Sequence, residues 1–232
     1  MTAGSDEQGT SRAKTRLANE QLILDVAEGC FARHGFRGTS VRLIAEEAGL
    51  PKSNILYYFS SKLVLYKALL ARTMQRWNEQ IDDIRVEDDP AEVLSRFIRA
   101  KIEQARLHPQ ASRLFATEML QGAPFLQDYL GSVGRAWMAD KAEVLAVWMD
   151  QGRLRRMDPV RLIFLIWAST QHYADFEVQI LGVTGKEAQS AEDFDAAADF
   201  LCAMILRGCD LIPPSGTITD HLPMLAAQGV HT

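Results

Sequence analysis

Residues 39–59 read Thr-Ser-Val-Arg-Leu-Ile-Ala-Glu-Glu-Ala-Gly-Leu-Pro-Lys-Ser-Asn-Ile-Leu-Tyr-Tyr-Phe, two short helical stretches around a turn at Ala48 to Pro51. Thr39 offers a hydroxyl N-cap, and Val41, Ile44, Ala45 and Ala48 then fall on one face at helical spacing. Small Ala45 allows a close approach by a second helix. Gly49 permits the left-handed backbone that ends a helix, Leu50 plugs the corner, and Pro51 suits the first turn of the next helix. That second helix turns Ile55 and Tyr58 inward and leaves Lys52, Ser53, Asn54 and Tyr57 outside. A polar helix N-terminus held by an apolar hairpin is what enters a DNA major groove, so the pattern reads as a helix-turn-helix. An ordinary helical hairpin is the alternative. Against it stands the basic flanking set of Arg12, Lys14, Arg16, Lys52 and Lys62, suited to phosphates.

Working outward, residues 1–62 hold eight Lys/Arg against seven Asp/Glu, while the whole chain of 232 residues carries a net charge of −5. The acidity therefore lies behind the reader, where it opposes indiscriminate adhesion to nucleic acid. At 47% hydrophobic the chain can bury a substantial core, yet no apolar run reaches membrane-spanning length and the polar N-terminus does not read as a signal peptide. Cys30, Cys202 and Cys209 have neither disulfide-framework nor metal-site spacing, which fits a reducing cytoplasm.

Helical periodicity predicts an all-α fold with helices near 17–34, 39–47, 51–58, 61–84, 91–107, 110–121, 124–152, 158–181 and 190–211. The organisation expected is a flexible basic arm over 1–16, a three-helix DNA-binding domain over 17–62, a larger helical ligand-binding and dimerisation domain over 63–212, and a mobile tail over 213–232. The stretch from Val160 to Ala168 is apolar nearly all round, and Phe194, Ala197, Ala198, Leu201, Cys202 and Ile205 repeat the hint. These two helices and their symmetry mates are expected to form a four-helix homodimer interface, which charged substitutions at Leu201 or Ile205 should disrupt.

Leu56-Tyr57-Tyr58-Phe59-Ser60-Ser61-Lys62 closes the reader, and with it the first sixty or so residues resemble the DNA-binding domain of the TetR family of one-component transcriptional regulators. The resemblance implies a palindromic double-stranded DNA operator, a dimer and a small-molecule effector. In such a reader, Lys52, Ser53, Asn54 and Tyr57 are expected on bases and phosphates, with Thr39, Arg42, Tyr58 and Lys62 securing the DNA backbone. Further along, Pro109 to Phe115, Glu118-Met119-Leu120, Gly122-Ala123-Pro124, Leu162-Ile163-Phe164 and Ile166 to Phe176 resemble the branch of that family that represses pyrimidine-utilisation (Rut) operons. That branch implies uracil or thymine as effector.

The residues supply what a flat imide requires. Trp77 and Trp167 offer planes, Phe115 and Met119 apolar lining, Gln171 a donor beside an acceptor, and His172 and Arg113 groups that polarise a carbonyl. Each has a structural alternative: core packing for the apolar residues, a satisfied amide for Gln171, a His172–Asp175 pair and an Arg113–Glu118 ion pair. Another small aromatic or drug-like effector fits the same residues. An all-helical enzyme is the distant alternative. Ser169, His172 and Asp175 supply the letters of a triad, but three-residue steps along one helix rotate them apart. His172 and Asp175 have no companion His-rich segment for a metal, so neither metal nor cofactor is expected.

Overall fold

The computed structural model describes the backbone of residues 4–214 and the side chains from Lys14 onward within it. Eleven α-helices are present and no strand, among the described residues. The reader comprises α1 (Gly4–Gly38), α2 (Val41–Ala48) and α3 (Lys52–Tyr58), and α4 (Lys62–Asn78) leads away from it. Then follow α5 (Pro90–Leu107), α6 (Pro109–Leu120), α7 (Gln127–Tyr129) with a π-helical turn at Leu130–Gly134, α8 (Arg135–Asp150), α9 (Pro159–Asp175), α10 (Glu177–Thr184) and α11 (Ala191–Gly208).

Two apolar cores form. In the first, Ile23, Ala27 and Phe31 of α1 recur on one face and meet Ile44, Ile55, Leu65 and Leu69. In the second, α5 is the central helix, packed on α9 and α11 through Phe97, Ile98 and Ile102, with Trp148 wholly buried beside them. Asp89 and Asp158 cap α5 and α9 by accepting from two backbone N–H groups each, directly ahead of Pro90 and Pro159. All three cysteines are free and buried. Burial pushes the Cys30 and Cys209 thiols up to about 11.

The turn of the reader forms as its residues require. Gly49 is left-handed (φ 64°, ψ 26°), and Leu50 N–H donates to the Ala45 carbonyl at 3.0 Å. The cap differs from expectation: Ser40, not Thr39, accepts from Leu43 N–H at 3.1 Å. Thr39 is 1% exposed and donates its hydroxyl to the carbonyls of Cys30 (3.1 Å) and Gly35 (2.8 Å). Pro51 likewise precedes α3 as its N-cap.

Other boundaries move for local reasons. Helical backbone starts at Gly4, inside the stretch expected as an arm, and bends at Gly35 (φ 65°). The Arg12 side chain, residues 1–3 and the tail over 215–232 lie outside the described residues. Helix α4 ends at Asn78, because Ile81 and Ile84 turn into the core. The expected helix 124–152 passes through the π turn containing Gly131 and Gly134, and 158–181 breaks at Phe176, where Arg113 Nε donates to the Ala174 carbonyl at 2.9 Å.

Lys62 fastens α4 to the reader. Its ammonium donates to the carbonyls of Phe36 and Thr39, both at 2.8 Å, and lies 4.4 Å from the centre of the Phe36 ring. Replacing it as Lys62→Met strands two acceptors, so a loss of about 2 kcal/mol and a fall in Tm of roughly 4–8 °C are expected by calorimetry. An unchanged Tm would contradict this role. Nearby, Arg72 of α4 donates to Asp25 (2.7 Å) and Glu28 (2.9 Å) of α1, binding the two helices together.

Candidate DNA interface and ligand pocket

Four residues of α3 were expected to meet DNA, and three of them are exposed: Lys52, Ser53 and Tyr57, the last at 73%. Asn54 is half-buried beside them. Tyr58 lies edge-on to Tyr57 at 5.2 Å, and its hydroxyl accepts from Asn19 Nδ2 at 3.4 Å, so it buttresses Tyr57 from behind. On α2 the exposed Arg42 pairs with Glu46 at 2.8 Å, one helical turn on. Thr39, expected on the DNA backbone, is instead buried, and Lys62 is largely engaged within the protein. The Thr39 hydroxyl is spent on the carbonyls of residues 30 and 35, and two of the three Lys62 N–H groups on those of residues 36 and 39, so both shape the reader from within.

At the far end of α4 lies a small, largely apolar cleft of about 90 Å³. Trp77, Phe115, Trp167 and Gln171 come together there as expected. Trp77 meets Phe115 edge-on at 4.9 Å. Met74, Asn78, Tyr129 and Trp137 join them from positions that sequence reasoning did not single out. Trp137 stacks on Trp167 at 5.9 Å and is oriented by its indole N–H, which donates to Asp82 Oδ1 at 2.7 Å. The carboxamides of Asn78 and Gln171 have no hydrogen-bond partner among the described residues, so both are open to a ligand.

Three expected ligand residues lie elsewhere. Arg113 is two positions from Phe115, on another face of α6, and its guanidinium is held by the Ala174 carbonyl and by Glu177 at 2.5 Å. Met119 packs against the reader core. His172 is rotated away from Gln171 and stacks on Phe176 at 5.1 Å. The two alternative pairs are also replaced. Asp175 accepts from Ser112 Oγ at 2.6 Å, and Glu118 accepts from Tyr66 and Phe125 N–H.

The reader and the pocket have known counterparts. Residues 23–69 match the family described as "Bacterial regulatory proteins, tetR family", and residues 70–212 match "YcdC-like protein, C-terminal region". The chain belongs to the TetR family. It is 40% identical over 208 residues to the HTH-type transcriptional regulator RutR of Escherichia coli K12, covering 90% of this chain and 98% of that one. Among solved structures it is similar to SCO4942 of Streptomyces coelicolor (26% identity, 82% and 97% of the two chains, TM-score 0.63). A TetR-like transcriptional regulator from Rhodococcus sp. RHA1 is also similar (25%, 82% and 94%, TM-score 0.56). This TetR-family chain is thus a transcriptional regulator and not an enzyme. No helix among the described residues is long and apolar enough to cross a membrane.

One unforeseen feature of the regulator borders its pocket. Lys101 of α5 is 3% exposed, with its ammonium 4.0 Å from the centre of the Trp77 ring. Burial lowers its pKa to about 7, against a smaller upward pull from Asp175, whose own carboxyl is pushed up by burial. The sign is definite. Between about pH 7 and the ordinary lysine range the unfolded chain holds a proton that the folded chain lacks, so stability rises with pH there and is lowest below that window. Lys101→Met is therefore expected to stabilise the protein at pH 6 by roughly 1–3 kcal/mol and to flatten the rise in denaturation midpoint from pH 6 to 9. A variant with the wild-type pH profile would refute this assignment.

Proposed function

We propose that the chain is a dimeric, effector-released repressor of pyrimidine utilisation that senses uracil- or thymine-like bases and acts on DNA in the cytoplasm. The observation that carries the effector is the pairing of indole planes, Trp77 and Trp167, with two unengaged carboxamides, Asn78 and Gln171, in one cleft. A pyrimidine base is a plane edged by alternating N–H donors and carbonyl acceptors, and each carboxamide offers both complements. The resemblance to the pyrimidine-utilisation branch supports the same ligand.

The geometry supplies a route from effector to reader. Helix α4 carries Trp77 in the cleft near one end and Lys62 under the reader at the other, about 22 Å apart along the helix. Arg72 ties α1 to the same helix. A base that binds one tilt of α4 more tightly than another shifts the spacing of the two readers, and a coupling of about 1–3 kcal/mol changes operator affinity some 5- to 150-fold.

The dimer face lies on the two helices expected, α9 and α11, with its exposed residues beside the ones expected. Leu201 and Ile205 are buried within the protomer, while Phe164 and Leu165 of α9 and Phe200 and Met204 of α11 are more than half exposed. Leu165, Phe200 and Met204 line one apolar groove together with the largely buried Leu201 and Ile205, the face that a second copy covers in a four-helix arrangement.

Mobility-shift titration with uracil tests the effector. Gln171→Leu is expected to raise the uracil concentration for half-release about tenfold or more, because the imide edge is left unpaired. It leaves operator affinity without uracil unchanged. Uracil that never alters the shift would refute the effector assignment, and release by an apolar aromatic lacking an imide would favour the drug-like effector.

A further inference from the structure

Behind the effector cleft, on α5, lies a charged group that the fold buries without satisfying it. Lys101 is 3% exposed, and its ammonium, 4.0 Å from the centre of the Trp77 ring, donates no hydrogen bond to any described residue. An ammonium taken out of water ordinarily keeps carbonyls or carboxylates around its N–H groups, and here an aromatic face stands in for them. Helix α5 packs on α4, α6, α9 and α11. Among the described residues of those helices, the charged group whose field reaches Lys101 is Asp175 of α9. Asp175 in turn accepts from Ser112 Oγ of α6 and feels Arg113 of α6 and His172 of α9. Its pull on Lys101 is smaller than the cost of burial, so Lys101 changes charge near neutral pH.

Trp77 lines the cleft and Lys101 does not, so the ammonium acts on a ligand through the indole. The same ring meets Phe115 edge-on at 4.9 Å, which holds it between a cation and an aromatic neighbour. A cation against an indole draws π density toward itself and depletes what the ring offers to a plane stacked in the cleft. A ligand that seals the cleft also displaces water that helps carry the charge behind the ring. Both effects oppose a charged Lys101 in the liganded protein. We infer that Lys101 is a positioning residue of the effector cleft, giving up its proton to solvent when a flat effector settles on Trp77. This inference deepens the proposed effector site and rests on that reading for the identity of the ligand. Linkage runs both ways: the effector binds more tightly as Lys101 becomes neutral, and its binding releases a proton. The regulator is therefore released from its operator by less effector as pH rises through neutrality.

Tryptophan emission and uracil titrations of the full-length protein between pH 6 and pH 8 test the assignment. Without ligand, emission is expected to step near neutral pH in the wild type and to lose that step in Lys101→Met. Uracil, which does not titrate in this range, is expected to bind about three- to tenfold more tightly at pH 8 than at pH 6. Lys101→Met is expected to hold the tighter value at both ends of the range, and Lys101→Arg, charged throughout, the weaker one. Should the bulkier arginine not fold, the methionine variant decides. His172→Gln, which removes the imidazole acting on Asp175, is expected to keep the wild-type pH dependence. Uracil affinity equal at pH 6 and pH 8, a pH dependence that survives in Lys101→Met, or one that is lost in His172→Gln would overturn the inference. A protein that takes no uracil at any pH would contradict the effector assignment instead. The ligand-free emission step then decides the Lys101–Trp77 coupling by itself, and a wild type without that step, or a Lys101→Met variant that keeps it, would overturn the inference.

Discussion

Phe200→Glu combined with Met204→Glu is expected to give a folded monomer that has lost operator binding. Both side chains are 59% exposed on one face of α11, so charging them does not open the protomer core. In an apposed pair of α11 helices, four carboxylates would have to be buried without partners, which an apolar interface does not tolerate. A single reader then contacts one half-site, and loss of the linked second contact lowers apparent operator affinity by roughly 10²- to 10⁴-fold. Sedimentation and fluorescence anisotropy on the same sample check both halves. A dimer that persists in sedimentation, or a monomer with undiminished affinity, would refute the α9–α11 face. Leu201→Ala separates the causes: Leu201 is buried, so truncation costs about 2–5 kcal/mol of folding stability and leaves the exposed face in place.

The second large effect belongs to Tyr57. It is the most exposed large aromatic of the reader, held edge-on by Tyr58 and free of any hydrogen bond among the described residues. An exposed ring fixed at a helix end costs solvent-exposed apolar area unless it contacts something, and α3 presents it on the same surface as Lys52 and Ser53. Tyr57→Ala is expected to weaken operator binding by about 1–3 kcal/mol, or 5- to 150-fold, with Tm unchanged within a degree or two. Lys52→Ala, removing a phosphate contact, weakens all duplexes alike and lowers the salt slope of binding by about one. A Tyr57→Ala protein that binds as tightly as the parent would place the reading surface elsewhere.

Much of the fold was legible because its signals are local. A left-handed Gly49, a plug at Leu50 and the aspartate-proline starts at residues 89–90 and 158–159 each act within one turn of helix, so composition and spacing suffice to find them. What the residues could not reveal is which of two adjacent hydroxyls faces inward. Thr39 and Ser40 are equally good caps in isolation, and only the carbonyls of Cys30 and Gly35 decide that Thr39 turns in. The internal role of Lys62 was hidden for the same reason: its partners lie more than twenty residues upstream.

Periodicity was also blind to α11 having two apolar faces. Phe194, Leu201 and Ile205 serve the protomer, whereas Phe200 and Met204 face outward, and a repeat of 3.6 residues does not distinguish core from interface. In the ligand cleft, Trp77, Phe115, Trp167 and Gln171 stood out as aromatic or amide interruptions of a pattern. Trp137 did not, since its place depends on how α8 lies against α9 and on a hydrogen bond to Asp82 in the α4–α5 turn. Arg113 lies outside the cleft because two positions along a helix from Phe115 reverse the face, and its guanidinium is taken by Glu177 and the Ala174 carbonyl.

The central claim is that α3 enters the major groove as one of a symmetric pair whose spacing the α4 cleft controls. Selection of bound duplexes from a random pool by the purified full-length protein, with and without uracil, tests it most directly. The account predicts enrichment of an inverted repeat with half-site centres about one helical turn of DNA, or a multiple of it, apart, and loss of that enrichment in uracil. A pool that emerges without a repeated half-site, or one equally enriched with and without uracil, would contradict it.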